Sequence, residues 1–229
     1  MRKFLFAASI ALAVFAITAK ANSEKLKVAY TLDFAKASGN PVAWLKNKGF
    51  EFQKDADDIC LAFEKRALTL KSSEPLFGVI IKENLKLEGV KKIRLTWGIE
   101  KYPVGASYEK GVNNEALMIY VFFGTEKLSS NSWFIPNSPY FIGLFLAESD
   151  KANKMYIGKH FKAGGRFVCA GTPPAQKTIT TEFDLSEAFK KYFKKSKVPF
   201  VSGISLEVDT SYLEQGKGAA FIKKIELLK

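Results

Sequence analysis

The chain has 229 residues, of which 47% are hydrophobic and 14% aromatic, which is enough for a sizeable hydrophobic core. Its formal net charge is +12, but the basic residues occur as scattered lysine pairs, and no helix or loop gathers them into an element that could read a groove of DNA. The composition therefore predicts anionic partners other than nucleic acid.

The first residues have the three parts of a secretory signal peptide. Arg2 and Lys3 form a basic start, an uncharged apolar run follows, and Ala19-Lys20-Ala21 fits the small-x-small cleavage rule. A membrane anchor is the alternative, but the run is shorter than the roughly 20 residues that span a bilayer. We therefore expect residues 1–21 to be removed and a periplasmic or secreted protein to remain, without a membrane span.

From residue 22 onward the chain is dominated by strand signals. Apolar residues alternate with polar ones in short runs separated by turn residues, which is typical of strands with one buried face. Two runs are apolar on both faces, as expected for central strands of a sandwich. With no linker-like segment or repeat, residues 22–229 are predicted to be one all-β, jelly-roll-like β-sandwich. The clearest runs are KLKVAYTLDF, KKIRLTWGIE, EALMIYVFFG, PYFIGLFLAES, KMYIGKHF, GRFVCAG, GISLEVDT and AAFIKKIELL.

One short helix interrupts the strands. Asp184 and Glu187 have the spacing of a capping box at a helix N-terminus. Leu185, Ala188 and Phe189 begin an apolar stripe with helical spacing, and lysines occupy the opposite side. The pattern predicts the main helix over residues 185–194.

Four of these segments resemble a bacterial exported family called domain of unknown function 3047. The likeness spans about residues 41–227 and lies in IRLTWGIE, ALMIYVFFG, GRFVCAG and VPFVSGISLEVDT. It implies a β-sandwich similar to carbohydrate-binding modules, with no established activity. Asp209 and Thr210 match the family's Asp-Thr, whereas Asn113-Asn114 replaces an acidic pair of the family. The resemblance therefore does not imply a cation site in this chain.

Two acids on one strand are the candidate catalytic groups. Glu207 and Asp209 are two residues apart, so they share a face of the strand. A retaining glycosidase needs two carboxyl groups roughly 5–5.5 Å apart across a sugar. In a strand motif of three alternating acids, the position after Glu207 and Asp209 would also be acidic, but it is Ser211 in this chain. The alternative is that the acids line a solvated face and that Asp209 holds the turn after the strand, with Thr210 adding its hydroxyl. We expect this structural role, and no catalytic residue.

A polar, proline-containing segment, SSNSWFIPNSPY, carries aromatic residues. Aromatic rings on loops stack on sugars while amides reach the hydroxyls. The alternative is that Trp133 and its neighbour Phe134 close one end of the sandwich. The candidate ligand-binding residues of the whole chain are Trp133, Tyr140, Asn131, Asn137, His160, Asn114, Asp209 and Thr210. If Asp209 and Thr210 bind a ligand, Asn114 is the neighbour expected to join them.

The remaining reactive residues are few. His160 is the only histidine, and no nucleophile motif accompanies it. Cys60 and Cys169 form a disulfide or stay as free thiols; the sequence leaves both open. No spacing of a metal site is present, so we predict no metal and no cofactor.

Together these observations predict a non-catalytic exported envelope protein that binds a glycan or another anionic envelope component. The alternative function is that of a degenerate or unrecognised glycan hydrolase that uses Glu207 and Asp209. The sequence predicts neither the identity of the ligand nor the oligomeric state.

Overall fold

A computed structural model describes residues 26–229 of the protein. The predicted signal peptide, residues 1–21, lies outside the described residues, and its removal stays a prediction. The strands, numbered in chain order, are β1 (Val28–Asp33), β2 (Glu51–Lys54), β3 (Cys60–Glu64), β4 (Ala67–Ser72), β5 (Phe77–Lys82), β6 (Lys92–Lys101), β7 (Glu115–Leu128), β8 (Ser138–Leu146), β9 (Met155–Tyr156), β10 (Gly165–Gly171), β11 (Ile179–Asp184), β12 (Val201–Asp209) and β13 (Gly218–Leu228).

These strands form a β-sandwich of two sheets. The six-stranded sheet has the order β11-β6-β13-β4-β3, and β1 also pairs with β13. The seven-stranded sheet has the order β2-β5-β12-β7-β8-β10-β9. Neighbouring strands are antiparallel except for β8 and β10, which run parallel. The predicted all-β, jelly-roll-like sandwich is therefore confirmed.

The core lies between the two sheets because each strand turns its apolar positions inward. Strand β6 contributes Ile93, Leu95, Trp97 and Ile99, all fully buried. The indole of Trp97 keeps a hydrogen-bond partner there, since its Nε1 donates to Thr181 Oγ1 at 3.0 Å. Trp97 is therefore a core residue whose one polar atom is satisfied.

The sandwich carries two short α-helices rather than the single one predicted. Helix α2 (Leu185–Phe193) was predicted, and the Asp184 side chain accepts a hydrogen bond from the Glu187 N–H at 2.8 Å. Helix α1 (Pro41–Asn47) was missed, although Asn40 caps it and proline opens it. Within residues 26–229, neither of these helices nor any other is long and apolar enough to cross a membrane.

Candidate functional site

The outer face of the seven-stranded sheet, which points away from the core, carries a second apolar cluster. We call it the outer aromatic cluster. Its rings touch in tilted, stacked or edge-to-face pairs, as in the contact of Tyr120 with Phe141 at 5.2 Å between centroids. Strands β7, β8, β9 and β10 and the loops before β7, after β8 and before β10 supply its members. They are Tyr108, Met118, Tyr120, Phe141, Phe145, Ala147 and Cys169, with the half-buried Phe122, Tyr156, Phe161 and Phe167.

Three carboxyl groups lie beside this cluster on two adjacent strands. The pairing of β12 with β7 places Glu207 opposite Met118 and, after an irregularity in register, Asp209 opposite Glu115. The hydroxyl of Tyr120 donates to Glu207 Oε1 at 2.6 Å, and that of Tyr108 donates to Glu115 Oε2 at 2.8 Å. Each buried glutamate is thus held by a tyrosine of the outer aromatic cluster.

Burial governs the protonation of these acids. It raises the pKa of Glu207 from 4.5 to about 8, while the hydrogen bond from Tyr120 acts in the opposite direction. Burial also raises the pKa of Glu115 well above its usual range, and the charges of Glu207 and Asp209 raise it further. The pKa of Asp209 is raised by burial as well. At neutral pH the Glu115–Glu207 pair therefore retains a proton.

Tyr108 is held in place by Asp150, a buried acid that the sequence analysis did not single out. Asp150 Oδ1 accepts from Ser107 Oγ at 2.6 Å, and its Oδ2 accepts from the Tyr108 N–H at 2.9 Å. These bonds fix the loop before β7, so the Tyr108 ring stacks on Phe145 with 4.3 Å between centroids. The tyrosine that holds Glu115 is itself positioned by a carboxylate.

Asp209 and Thr210 have the structural roles that were predicted for them. Asp209 Oδ1 accepts from the Ser211 N–H, two residues on, at 3.0 Å, and from Asn114 Nδ2 at 2.7 Å. Thr210 is fully buried, and its Oγ1 accepts from the Leu76 N–H at 3.3 Å. The amide group of Asn114 thus lies directly beside Asp209.

The carboxyl pair has no open cleft in front of it. The side chains of Glu115 and Glu207 are only 3% and 8% exposed. The cavity that Glu115 lines measures about 10 Å³, which is room for about one water molecule and not for a sugar ring. In this geometry each acid is hydrogen-bonded to a tyrosine and is closed off from a sugar-sized ligand.

The segment between β7 and β8 displays the most exposed aromatic side chain of the described chain. Trp133 is 96% exposed and Phe134 is 64% exposed. Their rings meet edge to face with 5.6 Å between centroids, and His160 lies on the other side of Phe134 at 6.5 Å. Trp133 and Phe134 therefore project from the sandwich and do not plug its end.

Hydrogen bonds inside this loop fix its shape. Ser130 is fully buried, and its Oγ contacts the carbonyl oxygens of Ser132 and Ile135 at 2.9 and 2.6 Å. Asn137 Oδ1 accepts from the Ser130 N–H at 3.2 Å, and Asn131 Oδ1 accepts from the Lys162 N–H at 3.1 Å. Both asparagines thus use their carbonyl oxygens to shape the loop, which leaves their amide groups as the part that can reach a ligand.

Tyr140 belongs to the core and not to this surface, which corrects its assignment as a ligand-binding residue. It is buried against Phe189 and Phe193 of α2, at 5.5 and 4.8 Å between ring centroids. The other candidate residues fall into two groups at opposite ends of β7. Asn114, Asp209 and Thr210 lie near its start, and Asn131, Trp133, Asn137 and His160 lie beyond its end.

The two cysteines do not form a disulfide. Cys60 is an exposed free thiol on β3 of the six-stranded sheet, and Cys169 is a buried free thiol on β10 of the seven-stranded sheet. Because Cys60 is exposed on one sheet and Cys169 lies in the outer aromatic cluster of the other, both are free thiols, which resolves the alternative that the sequence left open. Among residues 26–229, no group of three or more histidine, cysteine and acidic side chains has an arrangement that could hold a metal ion.

The missed member of the site is Glu115. It directly follows Asn113-Asn114, the place where the sequence analysis noted a lost acidic pair. Its partner Glu207 is far away in sequence, and only the pairing of β7 with β12 brings them together. A charged residue that opens an otherwise apolar strand was the one available signal.

No protein-family model matches the chain, and no curated protein matches it. Solved structures of β-sandwich proteins are similar to it at low identity. The potassium-bound carbohydrate recognition domain of Emp46p has a TM-score of 0.45 and 12% identity, covering 89% of this chain and 98% of that one. A family 12 xyloglucanase from Bacillus licheniformis has a TM-score of 0.44 and 11% identity over 89% and 98%. CBM29_1, a family 29 carbohydrate-binding module from Piromyces equi, has a TM-score of 0.35 and 12% identity, and the match covers 88% of each chain.

Proposed function

We propose that this protein is a non-catalytic, exported envelope protein that binds a glycan through Trp133 and Phe134. We further propose that it belongs to the exported family named in the sequence analysis. The observation that carries the binding function is the exposure of Trp133 on a loop with a fixed shape. A large apolar side chain in water contributes nothing to the core, whereas exposed apolar surface of this kind is typical of interaction sites.

The chemistry of the loop suits a sugar. The apolar faces of sugar rings stack on aromatic planes, and the perpendicular rings of Trp133 and Phe134 offer two such planes. The amide groups of Asn131 and Asn137 and the ring of His160 are the nearby polar groups of the candidate set. Because the buried Ser130 holds the loop, little ordering entropy is lost on binding.

The test is a binding measurement with the mature protein. Soluble gluco-, xylo- and manno-oligosaccharides and isolated envelope polysaccharides are titrated by calorimetry, a readout that does not depend on the Trp133 side chain. We expect Trp133→Ala and Phe134→Ala to lose binding without losing stability. Tyr212→Ala is the matched control, because Tyr212 is an exposed aromatic residue, 77% accessible, on a different loop. Equal binding by Trp133→Ala and the wild type, or no binding by the wild type, would reject the proposal.

Glycan hydrolysis remains the second candidate because the structure brings a second carboxyl, Glu115, to Glu207. Paired acids with displaced pKa values are the machinery of glycosidases. Their burial beside a cavity of about 10 Å³ opposes this function. Turnover of any glycan by the wild type that disappears in both Glu115→Gln and Glu207→Gln would establish it.

A further inference from the structure

A groove of about 530 Å³ crosses the outer face of the six-stranded sheet, on the side of the sandwich opposite Glu207. This volume lies within the roughly 300–1,000 Å³ of small-molecule sites. The turn between β3 and β4 forms one wall, the segment before β11 forms another, and β4, β6 and β13 contribute the rest. No residue of the proposed glycan site lines it.

The groove is basic. Lys65, Lys71, Lys101 and Lys223 line it, against Glu64 and Glu100. Lys71 Nζ lies between the two acids, 3.2 Å from Glu64 and 3.7 Å from Glu100, and Lys223 Nζ donates to Thr178 Oγ1 at 3.1 Å.

Two of the four lysines remain available to a ligand. Lys65 and Lys101 are exposed, and within the described part of the chain neither makes an ion pair or a side-chain hydrogen bond. Since Lys71 already neutralises much of the charge of both acids, the groove presents a positive field to solvent.

Small residues keep the groove open. Ala67, Thr69 and Ala219 form a buried floor. Next to them the ring of Phe221 lies over Gly98, where an added Cβ would come within 2.5 Å of Phe221 Cζ. The same Cβ would come within 2.4 Å of the Lys177 carbonyl oxygen, so only glycine fits beneath this ring. The lining therefore combines apolar floor, hydroxyl groups and charges.

The turn between β3 and β4, at the rim of the groove, holds two basic residues in a backbone conformation that is unfavourable for them. Lys65 and Arg66 are the two central residues of the β3–β4 hairpin, and their φ angles are +49° and +59°. Two-residue hairpin loops of this kind favour Asn-Gly, because side chains with a Cβ are strained at positive φ. Gln176, in the opposite wall, also has a positive φ of +66°. Strained residues of this kind cluster at binding sites.

We propose that this groove binds an acidic oligosaccharide, a chain of sugar rings that carry carboxylate groups. The exposed ammonium groups of Lys65 and Lys101 and the Arg66 guanidinium pair with the carboxylates, while the exposed Gln176 and Thr178 supply hydrogen bonds to hydroxyl groups. A continuous phosphodiester backbone suits the groove less well, since it would meet Glu64 and Glu100. This site is separate from Trp133 and takes a different ligand.

The experiment measures binding of oligogalacturonate, with its fully methyl-esterified form as the neutral control, by calorimetry at low ionic strength. We expect the acid form alone to bind, and its affinity to fall as salt is added. The double variant Lys65→Asn/Arg66→Gly relieves the strained turn. It is expected to melt at a higher temperature than the wild type and to bind about tenfold more weakly.

Matched variants separate this proposal from simpler explanations. Lys190→Gln/Lys191→Gln removes the same charge from α2 and is expected to bind like the wild type. Trp133→Ala is also expected to bind oligogalacturonate normally, so failure of the glycan proposal leaves this one standing.

The proposal would be overturned if Lys65→Asn/Arg66→Gly bound oligogalacturonate with the affinity of the wild type. It would also be overturned if Lys190→Gln/Lys191→Gln lost as much affinity as that variant, or if Trp133→Ala lost affinity for oligogalacturonate. Equal affinity of the wild type for the methyl ester, or for a DNA duplex, would overturn it as well.

Discussion

Tyr120 on β7 donates a hydrogen bond of 2.6 Å to Glu207 on the neighbouring strand β12, and both side chains are buried on the outer face of the seven-stranded sheet. This bond and its counterpart from Tyr108 to Glu115 hold two acids in an apolar setting. An acid in such a place is most stable when it is protonated. The pair therefore makes the stability of the fold depend on pH.

The free energy of unfolding is expected to fall as pH rises through the window set by Glu207. Its folded pKa of about 8 exceeds its ordinary value of 4.5, so between these values the folded state binds more protons than the unfolded one. The contribution of Glu207 to the free energy of unfolding is fully present below pH 4.5 and is lost by about pH 8. Between these values the free energy of unfolding falls by up to about 1.4 kcal/mol per pH unit.

Glu207→Gln tests this effect, because it replaces the acid by a neutral group of the same shape. The variant is expected to show a flatter pH profile in thermal melts and to exceed the wild type in stability above pH 8. Glu214→Gln, which removes an exposed carboxyl, serves as the control and keeps the slope of the wild type. An unchanged slope in Glu207→Gln would contradict the prediction.

Asp209→Ala is expected to destabilise the ligand-free protein by about 1 kcal/mol or more. The reason is that the Ser211 N–H and the Asn114 amide lose a common acceptor. Asp209→Asn keeps an oxygen at that position and is expected to lie closer to the wild type. A thermal melt of Asp209→Ala that coincides with the wild type would show that the aspartate has no structural role.

Ser130→Ala is expected to lower glycan affinity while changing the free energy of unfolding by about 1 kcal/mol, because the loop that carries Trp133 loses its central hydroxyl. Ser132→Ala is the control. The Ser132 hydroxyl is buried and has no hydrogen-bond partner among the described residues. Fluorescence titration of both variants measures the effect, and equal affinities would argue against a preorganised loop.

If residues 1–21 are a cleaved signal peptide, the mature protein begins at Asn22. The basic start, the apolar run and Ala19-Lys20-Ala21 are the reasons. Intact-mass analysis of protein recovered from the periplasm or medium measures the cleavage site, and a variant with Ala21→Arg is expected to remain uncleaved. Recovery of exported wild-type protein that retains residues 1–21 would contradict the prediction.

Local patterns predicted most of the strands because burial of one face leaves a two-residue period. The same rule explains two errors. Tyr140 shares the inward face of β8 with Ile142 and Leu144, so the period already indicated a core position, but the preceding loop residues suggested a surface. The run KMYIGKHF was predicted as a strand, yet only Met155–Tyr156 pairs, since the chain leaves the sheet and bends at Lys159 and His160.

The carboxyl site was less accessible to prediction than the strands. Glu207 was singled out because it alternates with apolar residues on its own strand, but the expectation that it lies on a solvated face is wrong, since it is buried beside Tyr120. Glu115 was not singled out, because its meeting with Glu207 depends on the register of β7 against β12, which no local pattern specifies. The parallel pairing of β8 with β10 was missed for the same reason.

The position of β13 has a consequence for how the protein is made. This strand is the last in the described chain, yet β1, β4 and β6 all join the six-stranded sheet by pairing with it. Until residues 218–228 have been synthesised, those strands have no common partner and the sheet cannot close. Such long-range pairing slows folding. The six-stranded sheet is therefore expected to form late in folding, after residues 218–228 have paired with β1, β4 and β6.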